Sequence, residues 1–267
     1  MNSIKNPTRR NRNIGTAKQG HGRRNKFRLP LCCIKGDLKW YYENLQHYDV
    51  TTRNFPFGNK ITFLVENVFP GFVHACTVDD IAAVLVHVSP DDLDGIKMII
   101  LRQPKRKEVI LNPVWGRLVF FAEIVENKYE GRTIFLEAMQ PNVSFRWNKS
   151  LTPEDQAEFD RLQNAGHDIR STQRYHVITP SIDSIRYTQL YHTLLHEVGH
   201  HVDEKKDPDL FDHKGSGQKE AFAHRYADKL RTKLEKFGAL PFPRILSEQS
   251  ILKDKLRLAD FNLDLNS

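Results

Sequence analysis

Residues 196–200 read His-Glu-Val-Gly-His and stand inside an apolar stretch that runs from Leu194 to Val202. Positions four apart share one face of a helix, so His196 and His200 can offer two imidazole nitrogens to a single metal ion, with Glu197 beside them at the rim. A zinc ion held this way leaves room for a water, and the carboxylate of Glu197 is the natural base to take its proton. In a chain of 267 residues with 12 His, the pattern arises by chance roughly 0.03 times. The segment before it, Tyr187 to Leu195, lacks Gly and Pro and can carry a helix, and Gly199 lets a neighbouring backbone pack close.

A catalytic zinc keeps three protein ligands and one open position, so a third ligand has to come from elsewhere in the chain. Twenty residues past His200, the segment Lys219 to Leu230 is helical by composition, with Ser216 placed to cap it and Gly238 to end it. Glu220, Ala223, Ala227 and Leu230 fall on one stripe at spacings of three and four, which sets a carboxylate on an otherwise small, apolar, buried face. The small alanines would let this helix approach the histidine helix closely. Two other side chains compete for the position: His213, in the polar loop from Asp212 to Gly217, and His224. A metzincin arrangement is excluded, because it wants Gly at 203 and His at 206, where this chain has Asp203 and Lys206.

HEVGH followed by Glu-Ala-Phe-Ala-His-Arg-Tyr-Ala-Asp-Lys-Leu resembles the compact gluzincin-type metallopeptidases, and within them the ImmA/IrrE-like group, over about residues 175 to 232. The resemblance implies His196, His200 and Glu220 as zinc ligands and Glu197 as general base. It departs from the family in two places. The family often carries Asn where this chain has His224, and thermolysin-like gluzincins have Asp four residues after the Glu ligand, whereas Asp228 here is eight away. Zincins of this build place an edge strand before the active helix for an extended substrate to pair with, and Tyr175 to Thr179 has that position and a β-rich composition. Pro180 then stops it, and Ser181 and Ser184 offer capping groups for the following helix. Tyr191, His192, His224, Arg225 and Tyr226 all lie near enough in sequence to steady a developing oxyanion.

The charge is sharply uneven. Residues 1–28 hold nine Lys or Arg (Lys5, Arg9, Arg10, Arg12, Lys18, Arg23, Arg24, Lys26, Arg28) and no acid; removing them from the 40 basic residues leaves 31 against 33 acids. The reading is a disordered basic arm on a nearly neutral body, suited to contact nucleic-acid phosphates, to solubilise the chain or to target it. Three cysteines, with Cys32 and Cys33 adjacent, provide neither a disulfide framework nor a zinc knuckle, and no apolar run reaches membrane-spanning length or forms a signal core. The expectation is a cytoplasmic protein with no membrane partner.

At 39% apolar content the chain can bury a substantial core. Asp37 to His47 reads as a short aromatic helix, and Thr77 to Asp80 opens another with a capping box. Gly95 to Leu101 reads as a strand, Lys107 to Leu111 and Gly116 to Glu123 as a hairpin around Asn112-Pro113, and Arg132 to Ala138 as a further strand. Thr152 caps a helix that runs to about Ala165, and Ile245 to Leu258 reads as a last amphipathic helix. The aromatic residues Trp115, Phe120, Phe121, Phe135, Phe145 and Trp147 are expected in the core. The chain is therefore expected to be α+β and zincin-like, with a basic arm over 1–28, an N-terminal α+β region over 29–174 and a metal-binding region over 175–267. The expected activity is that of a zinc metallopeptidase of narrow specificity acting on a protein or peptide. Its rivals are a catalytically silent zincin-fold binding protein and a SprT-like, DNA-associated protease that uses the basic arm.

Overall fold

The computed structural model describes residues 43–262 apart from 112, 113, 126 and 127. The chain divides into two units, Met1–Leu38 and Lys39–Ser267. The first, with the basic arm and Cys32 and Cys33, lies outside the described residues, and all the described elements belong to the second.

Strands β1 (Tyr48–Asn54), β2 (Lys60–Glu66), β3 (Ile96–Arg102), β4 (Gly116–Val125) and β5 (Tyr129–Glu137) form a five-stranded sheet in the order β1-β2-β3-β5-β4. The inner three are parallel to one another, while β1 and β4 run antiparallel to their neighbours at the two edges. Strands buried on both faces read as near-continuous apolar runs, and β3 shows this in Met98, Ile99, Ile100 and Leu101. Ile99 and Leu101 join the main core with Phe63, Val65 and Leu136, whereas Met98 and Ile100 face a smaller cluster with Leu64, Phe135 and Ile124. Between β2 and β3 come α1 (Val78–Leu85), opened by the Thr77–Asp80 capping box, and the one-turn α2 (Pro90–Leu93).

After β5 the chain builds a small antiparallel sheet of β6 (Phe145–Asn148), β7 (Asp168–Ser171) and β8 (Tyr175–Thr179), in the order β6-β8-β7. Helix α4 (Pro153–Asn164), capped by Thr152, lays Phe159 against Trp147 and His176 of this sheet. Then follow α5 (Ile182–Thr188), a π-helical turn over Gln189–Thr193, α6 (Leu194–Lys206), α7 (Pro208–His213), α8 (Ser216–Lys236) and α9 (Glu248–Lys253). Leu194, Leu195, Val198 and Val202 seal one side of α6 into the main core under the large sheet. The class is α+β with a mixed sheet, and no helix among the described residues is long and apolar enough to cross a membrane.

Several expectations are corrected. Residues 106–111 form a helix, α3 (Arg106–Leu111), not the first strand of a hairpin. The Glu108 carboxylate accepts from the Lys105 amide and from Arg102, which starts a helical turn there. The hairpin is instead β4 with β5. Residues 43–47 hold no helix, and 37–42 lie outside the described residues. The last helix is confined to Glu248–Lys253: Ser247 caps it, and Lys255 at φ 60° ends it. Of the six aromatic residues expected inside, only Phe135 is fully buried; Phe121 is 63% exposed and Phe145 36%. Ser216 is the first residue of α8, and Gly215 holds the cap position.

Buried histidines give the fold an acid limit. His74 is sealed in the core, where Nε2–H donates to the Glu66 carbonyl, and burial, together with nearby Arg244, lowers its pKa from 6.5 to about 4. His167, bonded to Thr188 and Ser184, is lowered to about 4 by the same desolvation. A group whose pKa falls on folding contributes stability that is fully present above the unfolded value and is lost as pH drops through the folded one. The unfolding midpoint is therefore expected to fall between pH 6.5 and 4, with His74 alone contributing about 3 kcal/mol. A urea midpoint that stays flat across that window would show that these rings accept protons without unfolding.

Candidate metal centre

Helix α6 presents His196 and His200 on the side opposite its buried apolar residues, and α8 crosses it closely because Gly199 has no side chain. A Cβ at Gly199 would lie 2.9 Å from the Cα of Ala223 and 3.0 Å from its carbonyl oxygen. The close crossing brings Glu220, one turn before Ala223, to the histidines. His196 Nε2 and His200 Nε2 stand 3.0 Å apart; Glu220 Oε2 lies 3.1 Å from the first, and Oε1 3.4 Å from the second. These three are the described group of His, Cys, Asp and Glu residues whose ligand atoms converge within metal-binding reach. Zinc bonds of about 2.0–2.2 Å in a tetrahedron imply ligand spacings of about 3.4 Å, so the donor set and its spacing both fit. One feature fits less well: His196 Nδ1 is buried without a hydrogen-bond partner, whereas metal-binding imidazoles usually donate from the other nitrogen. Glu220 also differs from its expected setting, since its side chain is 53% exposed rather than buried.

Two neutral imidazoles facing each other at 3.0 Å cannot both be acceptors without a cation or proton between them. The same demand is visible in the electrostatics. The two imidazoles hold the Glu220 carboxylate well below its ordinary pKa. Burial works against charge on His200, but Glu220, Glu197 and Asp203 together raise its pKa above the usual value.

Glu197 lies beside this cluster, 8% exposed. Burial raises its pKa, against the opposing pull of His196, His200 and the Leu118 amide, which donates to Oε2 at 2.7 Å. That amide belongs to β4, so the edge strand of the large sheet is tied directly to the candidate base. Gly116 makes this approach possible, since a Cβ there would meet Thr193 Cγ2 at 2.8 Å. From the π-helical turn, the Gln189 side-chain amide donates to the carbonyls of Trp115 and Glu137 and clamps the start of β4 to the helix. The strand expected at this edge, Tyr175–Thr179, instead lies at the centre of the small sheet, paired on both sides.

His213 sits at the end of α7, exposed, with Nδ1 donating to the Asp209 carbonyl, and is not part of the converging group. His224 stacks on His196 with ring centroids 4.3 Å apart. Asp228 pairs with Arg231. Of the five residues near enough in sequence to steady an oxyanion, Tyr191 accepts from the Phe242 amide, Tyr226 donates to Asp92 and Arg225 is exposed, while His192 and His224 line the cleft. Burial, with nearby cations, lowers His192 to about 3 and His224 to about 4, which keeps both neutral near pH 7.

The cleft has a volume of about 610 Å³ and opens from His196 and Glu197 toward the small sheet. Its walls escape sequence reasoning, which places Phe145 and Trp147 in the core. Comparisons with protein-family models, curated proteins and solved structures return no match to this chain.

Proposed function

We propose that this chain is a zinc-dependent metallopeptidase, an endopeptidase of narrow specificity. The observation that carries the reading is the convergence of His196, His200 and Glu220, drawn from two helices, with the buried Glu197 carboxylate alongside. These three residues would hold the ion, which when bound supplies Lewis acidity toward a peptide carbonyl and a more acidic water.

The protein's own residues do the rest. Oε2 of Glu197 is held by the Leu118 amide, which leaves Oε1 to accept the water's proton and then deliver it to the departing amine. The raised pKa of this carboxylate brings it closer to neutral pH, where a proton acceptor and donor works best. The outer edge of β4 offers backbone groups to an extended peptide, the usual way a sheet edge recognises one. Neutral His224 lines the cleft beside His196 and can offer one ring N–H there, whereas both ring nitrogens of His192 face the Arg231 guanidinium.

The deciding experiment measures zinc in protein purified under zinc-replete conditions. About one zinc per chain is expected in the wild type and after His213→Ala, with loss on His196→Ala and on Glu220→Gln. A wild type that binds no zinc would sink the reading and leave a binding protein in its place.

A further inference from the structure

Helices α6 and α8 meet with later positions of one against earlier positions of the other, so the two run antiparallel. Arg231 Nη1 lies 3.0 and 3.1 Å from the ring nitrogens of His192, His224 stacks on His196, Glu220 reaches His196 and His200, and Lys214, just ahead of α8, reaches Asp203. The middle of this ladder is fixed by the missing side chain of Gly199 against Ala223. The end beyond Glu220 is fixed differently. The chain leaves α6 at Lys206, turns through α7, which Phe211 pins to Phe120 of β4, and enters α8 across Lys214 and Gly215. A Cβ at Gly215 or at Gly217 would meet nothing within 4 Å, so close packing does not hold this entry in place.

An ion pair holds it instead. Lys214 Nζ donates to Asp203 Oδ1 at 2.6 Å, with the lysine side chain 21% and the aspartate 3% exposed. Exposed ion pairs contribute little, but a carboxylate sealed this far from water depends on its cation. Oδ2 of Asp203 is buried with no hydrogen-bond partner among the described residues, an arrangement that is costly to keep. It is kept three residues after His200, on the neighbouring turn of the same helix face.

Glu220 depends on this end of the ladder. Its carboxylate is 53% exposed and is held by the two imidazoles, and the residue stands about 6 Å along α8 from Ser216. Zinc–ligand distances hold to within roughly 0.2 Å, so a small shift in where α8 begins is enough to take the carboxylate out of reach of an ion on the histidines.

We infer, on the strength of the metal-centre reading, that Asp203 and Lys214 are positioning residues: their ion pair sets the start of α8 against α6 and thereby brings Glu220 to the ion. Charge alone predicts the opposite sign for one of them. An ammonium repels a nearby cation, so removing Lys214 would tighten zinc binding if the pair acted only through its field, and weakens it if the pair acts through position. The test measures the zinc affinity of the folded full chain by competition with a chelating dye. Lys214→Met, which keeps most of the side chain's bulk, is expected to weaken binding about 10- to 100-fold, the usual loss when a group behind a metal ligand is removed. Asp203→Asn is expected to do the same, and the double variant to be no worse than either single one, because the two residues act as one unit. Lys214→Arg restores the cation and is expected to stay close to wild type. Lys205→Met breaks an exposed ion pair between the same helix and Asp94 and is expected to leave the affinity unchanged, which separates position from a general loosening of α6. An affinity unchanged or tightened in Lys214→Met overturns the inference and leaves the metal centre standing, and this variant decides the matter even if the buried Asp203→Asn does not fold. A wild type that binds no zinc overturns the metal-centre reading and the inference with it.

Discussion

Changing Glu197 to Gln is expected to lower peptide cleavage by about 10²- to 10⁴-fold while zinc remains bound at about one per chain, because a positioned proton-transfer group contributes that much. The substitution is nearly isosteric. The Gln carbonyl oxygen can still accept from the Leu118 amide that now bonds Oε2, so β4 stays in place over the helix. Only the ability to take and return a proton is removed. The folded protein is not expected to suffer: Glu197 is buried deeply enough that desolvation raises its pKa, and a neutral amide escapes that penalty. The unfolding midpoint is expected to stay level or rise, which separates loss of chemistry from loss of fold. If activity survived at more than a tenth of wild type, Glu197 would not be the base, and neutral His224, packed against His196, would be the next side chain to test.

What could be read in the sequence was local. The spacing of His196, Glu197 and His200 is a property of one helix, and a helix forms there because Leu194, Leu195, Val198 and Val202 share its buried side. The small stripe of Ala223 and Ala227 that placed Glu220 on the inward half of α8 is likewise a single-helix pattern, and both alanines are buried. The Thr77 and Thr152 caps need only a residue and its third neighbour. Strand order is a different kind of information. Tyr175–Thr179 has the composition of a strand wherever it sits, and its central place in the small sheet depends on β6, about thirty residues earlier in the chain, and on β7. The link between Leu118 and Glu197 is invisible for a stronger reason: it uses a backbone amide, which every non-proline residue has. The short run at 106–111 shows how a few apolar residues serve helix or strand equally until a neighbour such as Arg102 decides. The cleft wall was hidden because Phe145 and Trp147 would look the same in a core.

Changing Arg102 to Met is expected to produce the largest loss of stability, about 3–5 kcal/mol, because it strands a buried carboxylate. Arg102 is 2% exposed, and its Nε lies 3.0 and 2.9 Å from the two oxygens of Glu137, itself 2% exposed and directly opposite on the neighbouring strand. Burial already raises the Glu137 pKa against the pull of Arg102, so the ionised form depends on that cation. Without it, Glu137 keeps the 3.4 Å contact with Arg117, or takes up a proton in the folded state. At about 2–4 °C per kcal/mol for a domain of this size, the unfolding temperature should drop by about 6–20 °C. Zinc content should be unchanged, since the cluster rests on α6 and α8. Replacing both partners, Arg102→Met with Glu137→Leu, should recover much of the loss, because two apolar side chains that pack together carry no stranded charge. Thermal denaturation of the two single variants and the double variant measures this coupling directly. A midpoint for Arg102→Met within about 2 °C of wild type would mean that Arg117, with water from the cleft, compensates Glu137 fully, and the ion pair lining the cleft would then be a consequence of the cleft rather than a support for it.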